Sequence, residues 1–371
     1  MSDSSKKPSL DPFGQTSIEN YDYLYEEFGI QPFKPLLQDI PETTAAMRRG
    51  VVFGHRDFDR ILKAMKLHEG FAVMSGIKPT GDFHLGSLIT AREVIYFQQQ
   101  GATAFYCIAD VEAYEDNGIP FEKSEKTAAG NIADLLALGF NLDKGYVYRQ
   151  SKEERVKDLA IAFGRRVTLA TMKAIYGERH LGLYLSSLIQ AGDILLPQLK
   201  EFGGPKPTVV PVGIDQDPHL RLARDLASKF NRRYGFVSPS STYHKLIKAL
   251  DGSAKMTKRA PASHFTLNEN PETAAKKISN AFTGGQPTVK KQREAGANPS
   301  ICPIYDLYMF HFFEKDEDAA KLYNECRTGK ILCGECKNRL IEVVTRFVQD
   351  HQRKRLQFID KGKEILERLS R

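Results

Sequence analysis

Between Phe71 and Phe230, short apolar runs alternate with segments of helical length, and no other feature of the chain restricts its fold as much. FAVMSG is a compact apolar strand followed by a Gly/Pro loop, and His84 to Gln100 then has helical length and stops before Gly101. Thr103 to Ala109 reads as a second buried strand and Lys123 to Leu138 as another helix. A helical stretch from Lys152 to Leu195 precedes the strand TVVPVG at 208–213. That strand runs into a helix at His219 to Phe230, with Asp217 placed to cap it and Pro218 in its first turn. The alternation predicts an α/β fold with a doubly wound parallel sheet, whose ligand crevice lies at the carboxyl ends of the strands.

Upstream, Val51-Val52-Phe53 reads as a short strand, followed by a helix capped near Asp57. Beyond about Asn270 the strand signals stop, and YDLYMFHFFEK, AAKLYNEC and Glu335 to Leu369 read as helices. A boundary is expected there. No apolar run approaches the ~20 residues of a membrane span. The start, MSDSSKKPSL, lacks the apolar core of a secretory signal, so a cytoplasmic protein is expected. The net charge of +7 is uneven, since residues 327–371 hold 12 Lys+Arg against 6 Asp+Glu. Such a basic end suits a polyanion, although a solvated helix face gives the same count.

Three motifs sit at strand ends. SGIKPTGDFHLGS, residues 75–87, links a strand to a helix. Its glycines 76, 81 and 86 permit close backbone approach, and the helix opening at His84 offers N–H groups and a positive dipole end to phosphate. KMTKR at 255–259 carries two lysines able to neutralise charge on a departing diphosphate. GIDQDPH at 213–219 presents Asp215 to ribose hydroxyls and Gln216 to a carboxylate or amine. Each alone is equally a turn, a solvated loop or a capped helix. In YLSSLIQAGDILL, Ser186, Gln190 and Asp193 form a polar stripe at helical spacing, able to line a pocket beside the strand ends.

Of five cysteines, Cys302, Cys326, Cys333 and Cys336 are separated by 23, 6 and 2 residues. Four clustered thiols without a secretory signal argue for a metal centre, either zinc or a 4Fe-4S cluster, and spacing does not decide between them.

An HxG motif after the first strand, a strand-end GxDQ and a late KMTKR, in that order, resemble the class I aminoacyl-tRNA synthetases. Nearly the whole chain is similar to the tryptophanyl-tRNA synthetases, with MRRGVVFGHRD, AFTGGQPTVKKQREAGANP and ILCGECKNRLIEVV resembling archaeal and eukaryotic forms. The resemblance implies a Rossmann-like catalytic domain at 71–270, with a connective helical insertion at about 115–200. It also implies an N-terminal extension at 1–70 and an all-helical anticodon-binding domain at 271–371. Implied partners are ATP with Mg2+, L-tryptophan, tRNA(Trp) and a second copy of the chain.

Carried over position by position, the family implies that His84, Lys255 and Lys258 act in catalysis. Gly76, His84, Gly86, Ser87, Gly213, Asp215, Lys255, Met256 and Lys258 would hold ATP. Tryptophan would meet Met74, Glu112, Gln190, Asp193 and Gln216, with Asp193 accepting the indole N–H and Glu112 facing the ammonium. The chain departs from the family pattern at Ser87, where HxGH has its second histidine, and at Arg259, where KMSKS ends in serine. Tyrosine charging is the nearest competitor, but its two phenol-facing tyrosine positions fall on Met74 and Ser186. A non-charging RNA-binding paralogue is the alternative outside enzymology. Some members carry a 4Fe-4S cluster on nearly this cysteine pattern, which implies iron–sulfur at Cys302, Cys326, Cys333 and Cys336. The basic run His351 to Arg355 would then lie near the anticodon arm.

Overall fold

The computed structural model describes residues 10–13, 21–253, 256, 260–313 and 315–370. Seven strands form one sheet: β1 (Gln31–Pro32), β2 (Val52–Arg56), β3 (Ala72–Ile77), β4 (Thr103–Ile108), β5 (Gly145–Arg149), β6 (Thr208–Gly213) and β7 (Ser240–His244). Their order is β1-β2-β7-β6-β3-β4-β5. The five strands from β7 to β5 are parallel, while β2 runs antiparallel to β7 and β1 antiparallel to β2. From β3 the chain winds outward through β4 to β5, then returns to β6 on the other side of β3 and continues to β7. That reversal makes a switch point between β3 and β6, where a doubly wound sheet opens a crevice at its carboxyl edge.

The central strands are apolar on both faces because helices cover both. Val73, Ile77, Ala104, Tyr106 and Val209 enter one core with the helix Leu85–Gln99. Ala72, Met74, Phe105, Cys107 and Val210 alternate into another with the helices Glu154–Gly164, Leu181–Leu195 and Asp217–Lys229. The four strands read from sequence are present, and β1, β5 and β7 are additional. The stretch read as continuous helix from 152 to 195 is three helices, Glu154–Gly164, Leu169–Tyr176 and Leu181–Leu195, the second ending at Gly177 with φ +72°.

Two expected caps are corrected. Asp217 is the first residue of its helix, and its buried carboxylate takes Arg56 Nε at 2.9 Å, Arg221 Nε at 3.0 Å and the Tyr243 hydroxyl. Arg56 also donates to the carbonyls of Phe28 and Gly29, so this ion pair ties the N-terminal segment to the sheet. Asp57 makes no side-chain cap and instead accepts from Arg224 Nη2 at 2.8 Å. The Phe58 N–H is taken by His55 Nδ1.

After β7 the described residues contain no strand. The helix Pro271–Asn280 packs along Cys333–Leu356, and both this long helix and Ile359–Ser370 pack on Phe121–Ala137. Among the described residues, no helix is long and apolar enough to cross a membrane.

Candidate active site

A cavity of about 210 Å³ opens at the switch point, with Met74, Gly76 and Lys78 on the β3 side and Val210 to Val212 on the β6 side. Glu112 reaches it from the helix Asp110–Asn117, Gln190 and Asp193 from Leu181–Leu195, and Gln216 from the turn after β6. Met74, Glu112, Gln190, Asp193 and Gln216 therefore meet at one cavity. Ser186, the third member of the stripe, does not reach it; its hydroxyl donates to the Leu183 carbonyl of its own helix at 3.0 Å.

Asp193 is 2% exposed and Glu112 9%. Ionised carboxylates at such depth require donors. On Asp193, Oδ1 accepts from the Tyr148 hydroxyl at 2.7 Å and faces the Cys107 thiol at 3.8 Å, and Oδ2 accepts from Gln150 Nε2 at 2.5 Å. Gln150 Nε2 also donates to Glu112 Oε1 at 3.1 Å. Burial pushes the Asp193 carboxyl well above its ordinary range and the nearby Glu112 charge adds to this, against the hydrogen bonds it accepts. Burial raises Glu112 as well, opposed by Lys78 and Gln150. Lys78, which also lines the cavity, forms an ion pair with Asp116 at 2.6 Å.

Tyr148, Gln150 and Lys78 were absent from the sequence reading. The first two sit at the end of β5, whose GYVYRQ carries no motif and no clean alternation. Lys78 lies inside the motif at residues 75–87, where the glycines and His84 carry the stronger signal.

At the end of the motif that follows β3, His84 caps the helix Leu85–Gln99, its Nδ1 accepting from the N–H groups of Gly86 at 3.0 Å and Ser87 at 3.3 Å. The ring proton is thereby assigned to Nε2, with the Ser87 hydroxyl 3.5 Å away. A Cβ on Gly86 would stand 2.8 Å from the imidazole, so this glycine makes room for the capping ring. A Cβ on Gly76 would meet the Cys107 carbonyl at 2.5 Å, and one on Gly213 would meet Asp215 Oδ1 at 2.7 Å. These three glycines accommodate the protein's own chain. Lys255 and Lys258 lie outside the described residues. Met256 is buried, with its N–H 3.4 Å from the Ile247 carbonyl.

The model of the class I tRNA synthetases for tryptophan and tyrosine matches residues 65–349. A tryptophan–tRNA ligase of Aeropyrum pernix is 42% identical over 362 residues, covering 96% of this chain and 96% of its own. That of Methanocaldococcus jannaschii is 38% identical over 368 residues, covering 98% and 99%. The crystal structure of the A. pernix tryptophanyl-tRNA synthetase superposes with a TM-score of 0.88 at 41% identity, over 97% of this chain and 98% of that one. This chain belongs to the tryptophan–tRNA ligase family of class I tRNA synthetases.

The synthetase's second group of interest lies among its C-terminal helices. Cys302, Cys326, Cys333 and Cys336 all border one small cavity of about 20 Å³, with Ile304, Leu322 and Ile331. Burial raises the Cys326 and Cys336 thiols to about 11 and about 12, and the other thiols of the group add to the effect. A Cβ on Gly285 would stand 2.8 Å from Cys333 Sγ. The donor chemistry fits a thiophilic metal. Even so, among the described residues no three His, Cys, Asp or Glu side chains are arranged to hold an ion.

The basic run divides. His351 is buried with Nε2 2.8 Å from Asp134 Oδ1, Gln352 donates to the carbonyls of Leu267 and Glu269, and Arg355 Nε lies 2.8 Å from Asp134. His351 and Arg355 hold the long helix against Phe121–Ala137, while Gln352 ties it to the segment 267–269; His351 is shut off from solvent, which removes it as an expected RNA contact, and Gln352 and Arg355 are half-buried with their polar groups engaged. Arg353 and Lys354 are exposed.

Proposed function

We infer that this synthetase joins L-tryptophan to tRNA(Trp) in two steps. The tryptophan carboxylate attacks the α-phosphate of ATP, giving tryptophanyl-adenylate and pyrophosphate. A ribose hydroxyl of the tRNA 3′ end then takes the aminoacyl group and releases AMP. In this reading Asp193 accepts the indole N–H, Met74 borders the ring, Glu112 and Gln190 receive the ammonium, and Gln216 meets the carboxylate. His84, through Nε2, with Gly76, Gly86 and Ser87 holds ATP phosphates, while Gly213 and Asp215 serve the ribose. Lys255 and Lys258, flanking Met256, neutralise the departing pyrophosphate, and Mg2+ arrives with ATP. No side chain acts as a nucleophile, so positioning and charge stabilisation carry the acceleration.

The supporting observation is the delivery of two buried carboxylates, Glu112 and Asp193, from different helices to one cavity at the switch point. The chain contains no tryptophan, so free tryptophan can be followed against a dark indole background. Titration should give a saturable blue shift, and tryptophan should support pyrophosphate exchange into ATP. Absence of both, or exchange with tyrosine at equal efficiency, would overturn the assignment.

Four finer readings belong to the same proposal. The four thiols hold a 4Fe-4S cluster: brown protein absorbing near 400 nm, an order-of-magnitude expectation for such chromophores, supports it, whereas colourless protein with one equivalent of zinc overturns it. The synthetase is a homodimer, supported by Leu181 and Leu185, 68% and 51% exposed one turn apart, beside exposed Ile161 and Tyr114 on helices packed against theirs. Leu181→Lys with Leu185→Lys should halve the mass seen by light scattering. The helices beyond residue 270 form the anticodon-binding part, presenting Arg353 and Lys354, and residues 1–70 form an extension of the catalytic part. The protein works in the cytoplasm, where its substrates are.

A further inference from the structure

Gln150 follows β5 in a short 3-10 turn and is fully buried. Its amide has two N–H donors and one carbonyl acceptor. Nε2 donates to Glu112 Oε1 at 3.1 Å and to Asp193 Oδ2 at 2.5 Å, while Oε1 accepts the Glu112 backbone N–H at 3.1 Å. Rotating the amide by half a turn would set its oxygen against two carboxylates and its nitrogen against an N–H, so the neighbours fix its orientation. Two residues earlier, on β5 itself, the Tyr148 hydroxyl occupies the other oxygen of Asp193 at 2.7 Å.

We propose that Gln150, supported by Tyr148, is the positioning residue that sets the indole-reading and ammonium-reading carboxylates at one fixed separation, so that a single amino acid engages both. This rests on the roles given above to Asp193 and Glu112. Two buried carboxylates repel each other and would otherwise turn apart. A lysine or arginine bridging them would hold both, but would also supply the positive charge that Glu112 keeps for the substrate ammonium. A glutamine bonds both while remaining neutral. The coupling is local, because one amide touches both carboxylates.

Calorimetric titration with three ligands tests this: tryptophan, indole-3-propionate, which lacks the ammonium, and benzothienylalanine, which lacks the ring N–H. In the unmodified protein each omission should weaken binding. Gln150→Met, similar in length but without donors, should weaken tryptophan by a factor on the order of 10 to 100 and shrink the penalty of both omissions together. In pyrophosphate exchange, KM for tryptophan should rise while KM for ATP stays within about twofold, a split that general loss of structure would not give. Gln150→Asn, one methylene shorter, restores at most one of the two bonds and should restore one penalty only; it serves also if Gln150→Met does not fold. Unchanged penalties, or loss of only one in Gln150→Met, would overturn the bridge. If Asp193→Asn and Glu112→Gln leave tryptophan affinity unaltered, the assignment of the two readers falls instead, whatever Gln150 does.

Discussion

The switch-point cavity and the cysteine pocket are each assembled from residues far apart in the chain, yet their interiors are opposites. In the first, buried carboxylates are already supplied with donors by Tyr148, Gln150 and Cys107 before any ligand enters. In the second, four thiols, of which Cys302, Cys326 and Cys336 are raised by burial and by their neighbours, face an apolar wall, where Gln292 at 3.4 Å from Cys333 Sγ is a polar neighbour. The first is organised for a ligand that adds hydrogen bonds to an existing network. The second becomes a ligand set only when a cation displaces the thiol protons. A preformed site should lose function most when its own network is cut, and a metal-dependent site should lose stability most when its metal is withheld.

The largest effect expected on this contrast comes from Asp193→Ala. It removes the proposed indole acceptor and leaves the Tyr148 hydroxyl and one Gln150 N–H buried without their partner. Loss of the acceptor together with two orphaned donors predicts a fall in kcat/KM for tryptophan on the order of 10² to 10³. Steady-state pyrophosphate exchange measures it. A loss below tenfold would mean that the preformed network does not read the substrate.

Legibility in the sequence followed the same division. Gln190 and Asp193 were readable because three-residue spacing on a helix puts both on one face, and the β3 and β6 motifs because a doubly wound sheet points its strand ends at one crevice. Tyr148 and Gln150 were not, since one lies on a short edge strand and the other in the turn just after it, and their function depends on side chains that only the fold brings near. His351, Gln352 and Arg355 show the converse error. A run of basic and polar residues reads as a solvated face, but His351 and Arg355 are drawn in by Asp134, more than 200 positions away, and Gln352 by the carbonyls of Leu267 and Glu269. Asp217 failed as a cap for a similar reason: Arg56 and Tyr243 arrive from other strands and claim its carboxylate.

The second test withholds the metal. Cys333→Ser with Cys336→Ser should abolish any metal-derived chromophore and lower the melting temperature of anaerobically purified protein by several degrees, as expected for ~1–2 kcal/mol in a protein of this size. Tryptophan affinity should stay within about twofold, because distant sites without shared partners contribute additively. A tenfold loss of tryptophan affinity would join the two pockets into one cooperative unit and break the comparison.

Acidity should separate them a third way. In the free protein Glu112 and Asp193 are raised, so between the ordinary and the raised values the folded chain holds protons that the unfolded chain has lost. Their contribution to stability is therefore present at low pH and is lost as pH rises through and above the ordinary carboxylate range. His219, lowered by burial and by Lys78 to about 3, acts in the opposite sense: its contribution is lost as pH falls below its ordinary value of 6.5. Melting temperatures between pH 4 and 8 should show both limbs, and Glu112→Gln with Asp193→Asn should flatten the one that declines with rising pH. The metal-free thiols at about 11 and about 12 should contribute no slope in that window. A slope retained in the carboxylate double variant would place the titrating groups elsewhere.

The smallest effect concerns the helix Cys333–Leu356, which begins at two of the thiols and ends where His351 and Arg355 dock on Asp134. Its outward residues near that end, Arg353 and Lys354, share a turn with the docking residues but not their burial. If tRNA meets this face through phosphates, each substitution to alanine removes one counterion-releasing contact. The double variant should then bind tRNA a few-fold more weakly, with the slope of log K against log salt reduced by roughly 1 to 2. Melting temperature and tryptophan-dependent pyrophosphate exchange should not change, because among the described residues Arg353 pairs only with the exposed Asp350 at 2.8 Å, an ion pair worth little. His351→Ala should behave in the reverse manner, lowering the melting temperature while leaving the salt slope intact, since the imidazole supports Asp134 and has no face to solvent. Equal effects on both measurements from both variants would show that docking and RNA contact are one surface.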